Sequence, residues 1–259
     1  MAATTATAST TSTPSAAPAS PTPSLASDLR LVISDVGASQ VRLARLDATD
    51  TASITGQYDG VVDDQVVIVN GSQLEAVNKA GLITKLGLLA AVAGWFRDDT
   101  VVVSPDLSRW LYAIHDQSST AQIHLGTPSG DRTIATLQSP DGNAYYRPFA
   151  WNASGVYMVR QAVGIGGAGP FLDYEFALAK FDLNTGKVTD VSPACIAYGV
   201  LDDGTMICRL QTQGAVEVRT QSGSSHRLQI GTSGAGTNSA FFRVTISPDQ
   251  KEHVVARHR

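Results

Sequence analysis

The sequence repeats one local pattern, a turn followed by a short apolar strand, at a near-constant interval. Five positions mark these turns: Asp64, Asp106, Ser154, Asp203 and Asp249. Successive positions are 42, 48, 49 and 46 residues apart. A period of this size indicates a repeat architecture, in which each repeat is one small unit that packs against its neighbours.

Glycines mark a second turn within each repeat. Gly81, Gly130, Gly186 and Gly223 each end an alternating strand and precede another short strand. Glycine supplies the positive φ that tight turns between antiparallel strands require. A further strand precedes the first turn, as at 149–151. Each repeat therefore offers four short antiparallel strands, which is what one blade of a β-propeller needs.

These patterns predict an all-β fold, a β-propeller of about five four-stranded blades that spans 28–259. The alternative is part of a ring of six or seven blades, because the first repeat starts at its second strand and the last stops after its second strand. Only 82–92 approaches the spacing of an amphipathic helix, and we interpret it as a strand followed by an apolar crossover, with a short helix as the alternative. Hydrophobic residues make up 43% of the 259 residues, enough for a large core.

Residues 1–27 differ from the rest of the chain in composition. They are mostly Ala, Ser, Thr and Pro, and none is charged. Such a segment cannot bury enough apolar surface to offset its ordering entropy, so we predict a disordered linker. It lacks the basic start and apolar core of a signal peptide, and no segment of the chain is long and apolar enough for a transmembrane span. The linker is either a solvated tail or a tether from an upstream membrane anchor, and the tether favours an extracytoplasmic location.

The two cysteines, Cys195 and Cys208, flank a predicted turn. If Val200 pairs with Thr205, the cysteines lie on one face of a hairpin, two positions off register and near the limit of disulfide reach. A bulge could close that gap, and the alternative is two small buried residues. A disulfide would indicate that the protein matures outside the reducing cytosol.

Charge and motifs exclude several classes of partner. The net charge of −4 attracts neither nucleic-acid phosphate nor an anionic bilayer. Phosphate-loop, zinc-protease and calcium-loop motifs are missing, so we predict no cofactor and no metal. The glycines Gly164, Gly166, Gly167 and Gly169 have a dinucleotide-binding spacing, but Pro170 follows where a helix would have to begin. We interpret them as a long loop at a propeller rim, where ligands bind.

Two further groups of residues carry chemistry. His115 and His124 bracket 116–123 and would stand opposite one another in a regular hairpin, close enough to share a metal. Without a third ligand, we favour a cross-strand polar pair. Tyr145, Tyr146 and Arg147 could stack against a sugar or a peptide, and are candidate rim-binding residues together with the glycine loop. The alternative for these aromatics is packing of one blade against the next.

Three phrases resemble those of bacterial TolB-type and WD-repeat-like propellers. They are Ser-Pro-Asp-Leu-Ser-Arg-Trp-Leu at 104–111, Ser-Pro-Asp-Gln-Lys at 247–251 and Phe-Asp-Leu-Asn-Thr-Gly-Lys-Val at 181–188. The chain departs from the pattern at Leu107 and Gln250, where those families carry a turn glycine. The resemblance implies blade architecture, in families that include adaptor proteins, binding modules and peptidase domains. It assigns no functional residue, because the phrases are structural.

Two functions of different classes fit this pattern. The first is a non-catalytic binding or scaffold module at the cell envelope that presents rim loops to a protein, peptide or glycan. The second is a propeller-type enzyme, a lyase or a glycoside-active protein, that uses Asp173, Glu175 and Asp202 near the central channel as acid and base. We favour the binding module, because the strong catalytic motifs are missing from the sequence.

Overall fold

The computed structural model describes most of the chain from residue 30 onward. All regular elements in the described ranges are β-strands, and these ranges contain no helix long and apolar enough to cross a membrane. The linker predicted at 1–27 lies outside them. The described ranges are 30–35, 37–45, 50–116, 118–140, 142, 144–163, 175–192, 196–210, 215–229, 242–246 and 253–257.

The strands form six antiparallel sheets in succession along the chain, which we call blades 1 to 6. Blade 1 contains β1 (Arg30–Asp35), β2 (Gln40–Arg45) and β3 (Asp50–Thr55); blade 2 contains β4 (Gln57–Val62), β5 (Gln65–Asn70), β6 (Gln73–Val77) and β7 (Ile83–Leu88); blade 3 contains β8 (Phe96–Val103), β9 (Trp110–His115), β10 (Thr120–Thr127) and β11 (Gly130–Gln138); blade 4 contains β12 (Ala144–Asn152), β13 (Gly155–Ala162), β14 (Glu175–Phe181) and β15 (Val188–Ser192); blade 5 contains β16 (Ile196–Val200), β17 (Met206–Leu210), β18 (Ala215–Arg219) and β19 (Ser225–Gln229); blade 6 contains β20 (Phe242–Ile246) and β21 (His253–Arg257).

The blades follow one another around an axis, as the repeat predicts. The first strand of each blade contacts the first strand of the next, from β4 through β8, β12 and β16 to β20. We call these five the inner strands. Blades 2 to 5 each have four strands in sequence order, so the predicted β-propeller is confirmed. In the other blades, the fourth strand is the one that precedes the first strand of the next blade. In blade 1 this strand is β3, so β1, β2 and β3 correspond to the second, third and fourth strands.

The hydrophobic core is divided into layers, and each layer lies between two neighbouring blades. Strand β9 shows why, because its residues alternate between two layers. Trp110, Tyr112 and Ile114 pack against blade 2, whereas Leu111 and Ala113 pack against blade 4. All five are fully buried. Because neighbouring blades cover both faces of β9, apolar residues occupy consecutive positions along this strand.

Two glycines make room for the largest of these side chains. A Cβ atom at Gly126 would lie 1.9 Å from Nε1 of Trp110, and one at Gly87 would lie 2.3 Å from its Cη2. Because neither distance is compatible with atomic contact, glycine is the residue that both positions require. The sequence predicts the glycines of the turns but not these two, whose role appears only when two blades are stacked.

The two ends of the blades have different connections. At one end, which we call the hairpin rim, lie the turns between the first and second strands and between the third and fourth strands. The predicted turn positions Asp64, Asp106, Ser154 and Asp203 fall at this rim, and Asp249 lies outside the described residues. The residues at this rim with positive φ include Asp64, Leu107, Gly155, Gly204, Gly81, Gly130, Gly186 and Gly223. The other end, which we call the entry rim, carries the connections between the second and third strands, and there the inner strands begin.

The segment at 82–92 agrees with its interpretation as a strand and a crossover. Strand β7 ends at Leu88, and the chain then crosses to blade 3 without a helix. The crossover is anchored by Ala90, whose N–H donates to the hydroxyl of Tyr112 at 2.6 Å. This bond fixes the segment that leads into β8 and hence into the entry rim of blade 3.

Candidate functional site

The inner strands of blades 2 to 5 share a feature that the sequence pattern does not show, a β-bulge. In β4, β12 and β16 one extra residue interrupts the pairing with the second strand, at Asp59, Phe149 and Tyr198. A bulge adds twist and re-aims side chains next to it, and bulges occur often beside functional sites. Here a bulge recurs on the inner strand of each of blades 2 to 5.

The bulge of blade 3 is wider than the others. Arg97 pairs with Ile114 and Val101 pairs with Tyr112, so the three residues 98–100 stand opposite Ala113 alone. The carboxylate of Asp98 closes the bulge, because its Oδ1 accepts a hydrogen bond of 2.8 Å from the N–H of Thr100. The bulge thus places the polar residues 98–100 directly before the apolar run at 101–103.

Blade 4 holds this bulge in place through two side chains of β12. The hydroxyl of Tyr145 donates to Oδ2 of Asp98 at 2.5 Å. The guanidinium of Arg147 donates from Nη1 to Oγ1 of Thr100 at 2.7 Å and from Nε to Oε1 of Gln161 at 3.2 Å. Tyr145 and Arg147 are two residues apart on one strand and so share a face. The bulge is therefore bonded at both of its ends to the next blade.

Three aromatic rings stand in a row beside the bulge. The imidazole of His115 stacks on Tyr145, with ring centroids 3.9 Å apart and planes inclined by 12°. The ring of Phe96 is next to that of His115, with the two ring centroids 6.2 Å apart. Tyr145 is 5% exposed, whereas Phe96 is 49% exposed. The row therefore runs from a buried base to a ring that is open to solvent.

The charges around His115 are negative. Burial lowers the pKa of His115, while the nearby charges of Asp98 and Asp116 oppose this shift. Because the ordinary pKa of a histidine is already below 7, the lowered value leaves the ring neutral at pH 7. The imidazole consequently adds no positive charge to a site that two carboxylates face.

The aromatic row belongs to a wider arrangement, because aromatic residues occupy the beginning of all five inner strands. Tyr58 is the second residue of β4, Phe96 the first of β8, Tyr145 the second of β12, Tyr198 the third of β16 and Phe242 the first of β20. All inner strands begin at the entry rim, so these positions surround the axis at that end. Tyr58 is 38% exposed, which with Phe96 gives two neighbouring blades an open aromatic side chain.

The predicted rim residues divide between the core and this site. Tyr146 is buried in the layer between blades 3 and 4, which confirms the packing alternative for that residue. Tyr145 and Arg147 position the bulge as described above. Gly164, Gly166, Gly167 and Gly169 lie outside the described residues, as does all of 164–174. The strands on either side of that segment meet at the entry rim, where Gln161 pairs with both Tyr145 and Glu175.

Two of the positions proposed for catalysis lie at opposite rims. Glu175 begins β14 at the entry rim, whereas Asp202 lies in the turn before β17 at the hairpin rim, where its Oδ1 accepts from the N–H of Ala153 at 3.3 Å. A strand of seven residues is roughly 20 Å long, so the two backbone positions are about one strand length apart. Asp173 lies outside the described residues.

The expectation that His115 and His124 stand opposite one another is wrong. His115 pairs with Ala121 and His124 pairs with Tyr112, because the turn is tighter than a symmetric hairpin. Oδ1 of Asp116 accepts from the N–H and the hydroxyl of Ser118, which draws the turn in. His124 instead places Nδ1 2.7 Å from Oδ1 of Asp131. Within the described ranges no three potential metal ligands cluster.

The register assumed for the cysteine hairpin needs one correction. Val200 pairs with Met206 and not with Thr205, but the bulge at Tyr198 shifts the register so that Ala197 pairs with Cys208. Cys208 is fully buried and disulfide-bonded. Cys195 is the other cysteine of the chain and lies outside the described residues, so its pairing with Cys208 stays a prediction.

The polar members of the site, Asp98 and Thr100, are the residues that sequence reasoning missed. A signal for them exists in the sequence, because Asp-Asp-Thr interrupts the approach to Val101 where the other inner strands carry one bulged residue. Sequence spacing alone does not show which residues of an inner strand are left unpaired. That property depends on how the strand pairs with its partner strand β9.

Comparison with known proteins supports the architecture. No family model matches the sequence, and no curated protein matches it. Among solved structures, the chain is similar to TolB from Acinetobacter baumannii, with 12% identity and a TM-score of 0.50 over 85% of this chain and 55% of that one. A TolB-type protein from Agrobacterium tumefaciens, described as a TolB candidate, gives 13% identity and a TM-score of 0.50 over 81% and 73%. A streptogramin B lyase gives 11% identity and a TM-score of 0.49 over 90% and 80%.

These similarities concern the fold. The chain has the architecture of a TolB-type β-propeller and spans about half the length of the A. baumannii protein. At identities this low, no residue role carries over from those structures to this chain. The chemistry of the entry rim must therefore be derived from the residues of this chain.

Proposed function

We propose that this chain is a non-catalytic binding or scaffold module that presents the entry rim of its propeller to a protein, peptide or glycan partner. The observation that carries the proposal is the exposed ring of Phe96, which stands at the end of an aromatic row whose base, Tyr145 of blade 4, donates a hydrogen bond to Asp98 of blade 3. Exposed aromatic rings on a fixed base are typical of binding surfaces.

The rigidity of the site supports recognition. A binding surface that is ordered before the partner arrives loses little conformational entropy on binding. At this rim the bulge is fixed by Asp98, Tyr145 and Arg147, so the position of Phe96 relative to His115 is set in the free protein. Sites built on strands are also more precise than sites on loops.

The bonding of Asp98 favours binding over acid–base catalysis. Its Oδ1 accepts from Thr100 and its Oδ2 accepts from Tyr145, so both carboxylate oxygens already have donors. A general base needs a lone pair within hydrogen-bond reach of a substrate proton. An enzyme built on paired carboxylates would also need a second one at a defined separation, and Glu175 and Asp202 stand at opposite rims.

We also propose that the module works outside the cytoplasm, at the cell envelope. The disulfide of Cys208 supports this location, because disulfides persist in oxidising compartments. Mass spectrometry of the protein isolated from its source cell without reduction tests the idea. A peptide containing Cys208 linked to Cys195 supports it, and two free thiols in the isolated protein would contradict it.

A matched pair of variants tests the binding function. Phe96→Ala removes the exposed ring at the entry rim, and Ile83→Ala removes an equally exposed apolar side chain at the hairpin-rim end of the outer strand β7. Immobilised wild type and variants are compared for retention of envelope proteins and for binding to a glycan array. We expect Phe96→Ala to lose a partner that wild type and Ile83→Ala retain. Equal retention by all three proteins would show that the entry rim is not the binding surface.

A further inference from the structure

The entry rim of blade 3 combines an open aromatic face with a negative electrostatic environment. Phe96 is half exposed and lies 6.2 Å from the ring of His115. The charges that act on His115 are those of Asp98 and Asp116, and both favour a positive charge at that place. Because burial keeps His115 neutral at pH 7, the protein itself does not supply that charge there.

The nearest guanidinium is already engaged. Arg147 donates to Thr100 and to Gln161, on the side of the bulge that faces blade 4. Arg97 donates to the carbonyl oxygen of Gly71 in blade 2 at 3.0 Å. Both arginines therefore have bonded partners, and the carboxylate of Asp98 is itself hydrogen-bonded to Tyr145 of the aromatic row.

We propose that Phe96 receives the side chain of a lysine or arginine from a partner protein, with the cationic head placed between the aromatic face and the carboxylates of Asp98 and Asp116. The face of an aromatic ring attracts a cation electrostatically, and nearby carboxylates strengthen that attraction. The inference rests on the proposed binding function and specifies the chemistry of its partner.

A side chain fits this surface better than a free ion does. The methylene stem of lysine or arginine covers apolar surface while the charged head stays near water and its counter-charges. At this rim the apolar surface is the exposed ring of Phe96, and the counter-charges are those of Asp98, which is hydrogen-bonded to Tyr145 of the same row, and of Asp116, which follows His115 in the chain. A small hydrated cation would use the carboxylates and leave the ring uncovered.

Two model peptides isolate the cationic head. Acetyl-Ala-Lys-Ala-amide and acetyl-Ala-norleucine-Ala-amide have similar stems, and only the first carries an ammonium group. Each is titrated into the full-length protein at pH 7.5 while the imidazole signals of His115 are followed by NMR. We expect the lysine peptide to bind roughly two- to fivefold more tightly, as a partly exposed cation–π contact provides. Added salt should reduce the difference, because the attraction is electrostatic.

Two variants separate the roles of ring and charge. Phe96→Ala should remove the preference for lysine. Asp116→Asn should weaken it while leaving the fold intact, because an asparagine side chain can keep the turn in which Asp116 accepts from Ser118. Phe96→Trp should retain the preference, since indole is the best aromatic partner of a cation.

The outcomes distinguish this inference from the function on which it rests. Equal affinity for both peptides, or a lysine preference that survives Phe96→Ala, overturns the cationic partner. If the partner retained in the pull-down is lost in Phe96→Ala but competes with neither peptide, the binding function stands and the cationic inference fails. If no partner depends on Phe96, the binding function itself fails.

Discussion

The two rims of this propeller are built by different kinds of sequence. At the hairpin rim, the same turn recurs in blade after blade, with an acidic or small polar residue followed by a position of positive φ, as at Ser154-Gly155 and Asp203-Gly204. At the entry rim, each blade differs from the next. The bulge at 98–100 occurs in blade 3 alone among blades 2 to 5, and the Asp98–Tyr145 bond depends on it.

This difference shows where fold and function are encoded. A turn that recurs does the same work in every blade, which is to reverse the chain and set the register of the next strand. A residue that does not recur cannot be needed for that work. The unrepeated polar residues of the entry rim are therefore the part of the chain that is available for recognition, and substitutions at the two rims should have separate effects.

The largest effect on stability is expected from the packing of Trp110, which directly follows the hairpin turn of blade 3. Gly126→Ala would place a Cβ atom 1.9 Å from Nε1 of Trp110. We expect the free energy of unfolding in urea to fall by about 1–3 kcal/mol, the usual cost of overpacking a core. Gly60→Ala is the matched control, because a Cβ atom there meets no atom within 4 Å. A similar loss in both variants would mean that glycine flexibility, and not the indole, sets the cost.

A second loss of stability is expected at the turn of blade 5. Gly204 has a φ of 78°, a conformation that costs a residue with a Cβ atom about 1–2 kcal/mol. Gly204→Ala should therefore lower the free energy of unfolding by about that amount. The measurement is made in a Gln221→Ala background, because the Gln221 side chain would contact the new methyl group. Peptide binding at the entry rim should be unchanged, and a parallel loss of binding would show that the rims are coupled.

A double-mutant cycle measures the bond that holds the entry rim. Tyr145→Phe removes the donor to Asp98, and Asp98→Ala removes the acceptor. We expect a coupling energy of about 1 kcal/mol in urea unfolding, the net value of a typical hydrogen bond with somewhat more for its charged acceptor. We expect both single variants to weaken partner binding more than they weaken stability. Additive effects of the two substitutions would show that the bond contributes nothing.

The repeat made the fold predictable. The site was less predictable, because its residues do not recur from blade to blade. Turn positions such as Asp64 and Gly186 mark strand ends because the local chemistry of a turn is set by its own residues. The neighbours of Phe96 could not be read in the same way. His115 lies opposite it only because the bulge at 98–100 sets three residues of β8 against one of β9, and Tyr145 belongs to the next blade, 49 residues further along the chain.

The predicted histidine pair failed for the same reason. A symmetric spacing of His115 and His124 predicts a symmetric hairpin only if the turn has no preference of its own. Asp116 bonds to Ser118 and closes the turn early, which moves the register by more than one residue. Side-chain chemistry within the turn thus outweighed the symmetry of the spacing.

The smallest effect that we predict is an acid sensitivity of the hairpin rim. Hydrogen bonds from Ser104 and Ser108 hold the pKa of Asp106 at about 2, below its ordinary value of 3.8. Because the folded state favours the charged form, this contribution to stability is complete above the ordinary pKa and is lost as the pH falls through about 2. Asp106→Asn should flatten the dependence of unfolding on pH in that window, measured by urea unfolding at pH values from 5 to 2. An equally steep dependence in the variant would mean that another carboxylate carries it. Asp106→Asn should leave peptide binding at the entry rim unchanged, because the turn of Asp106 lies at the opposite end of the blade from Phe96.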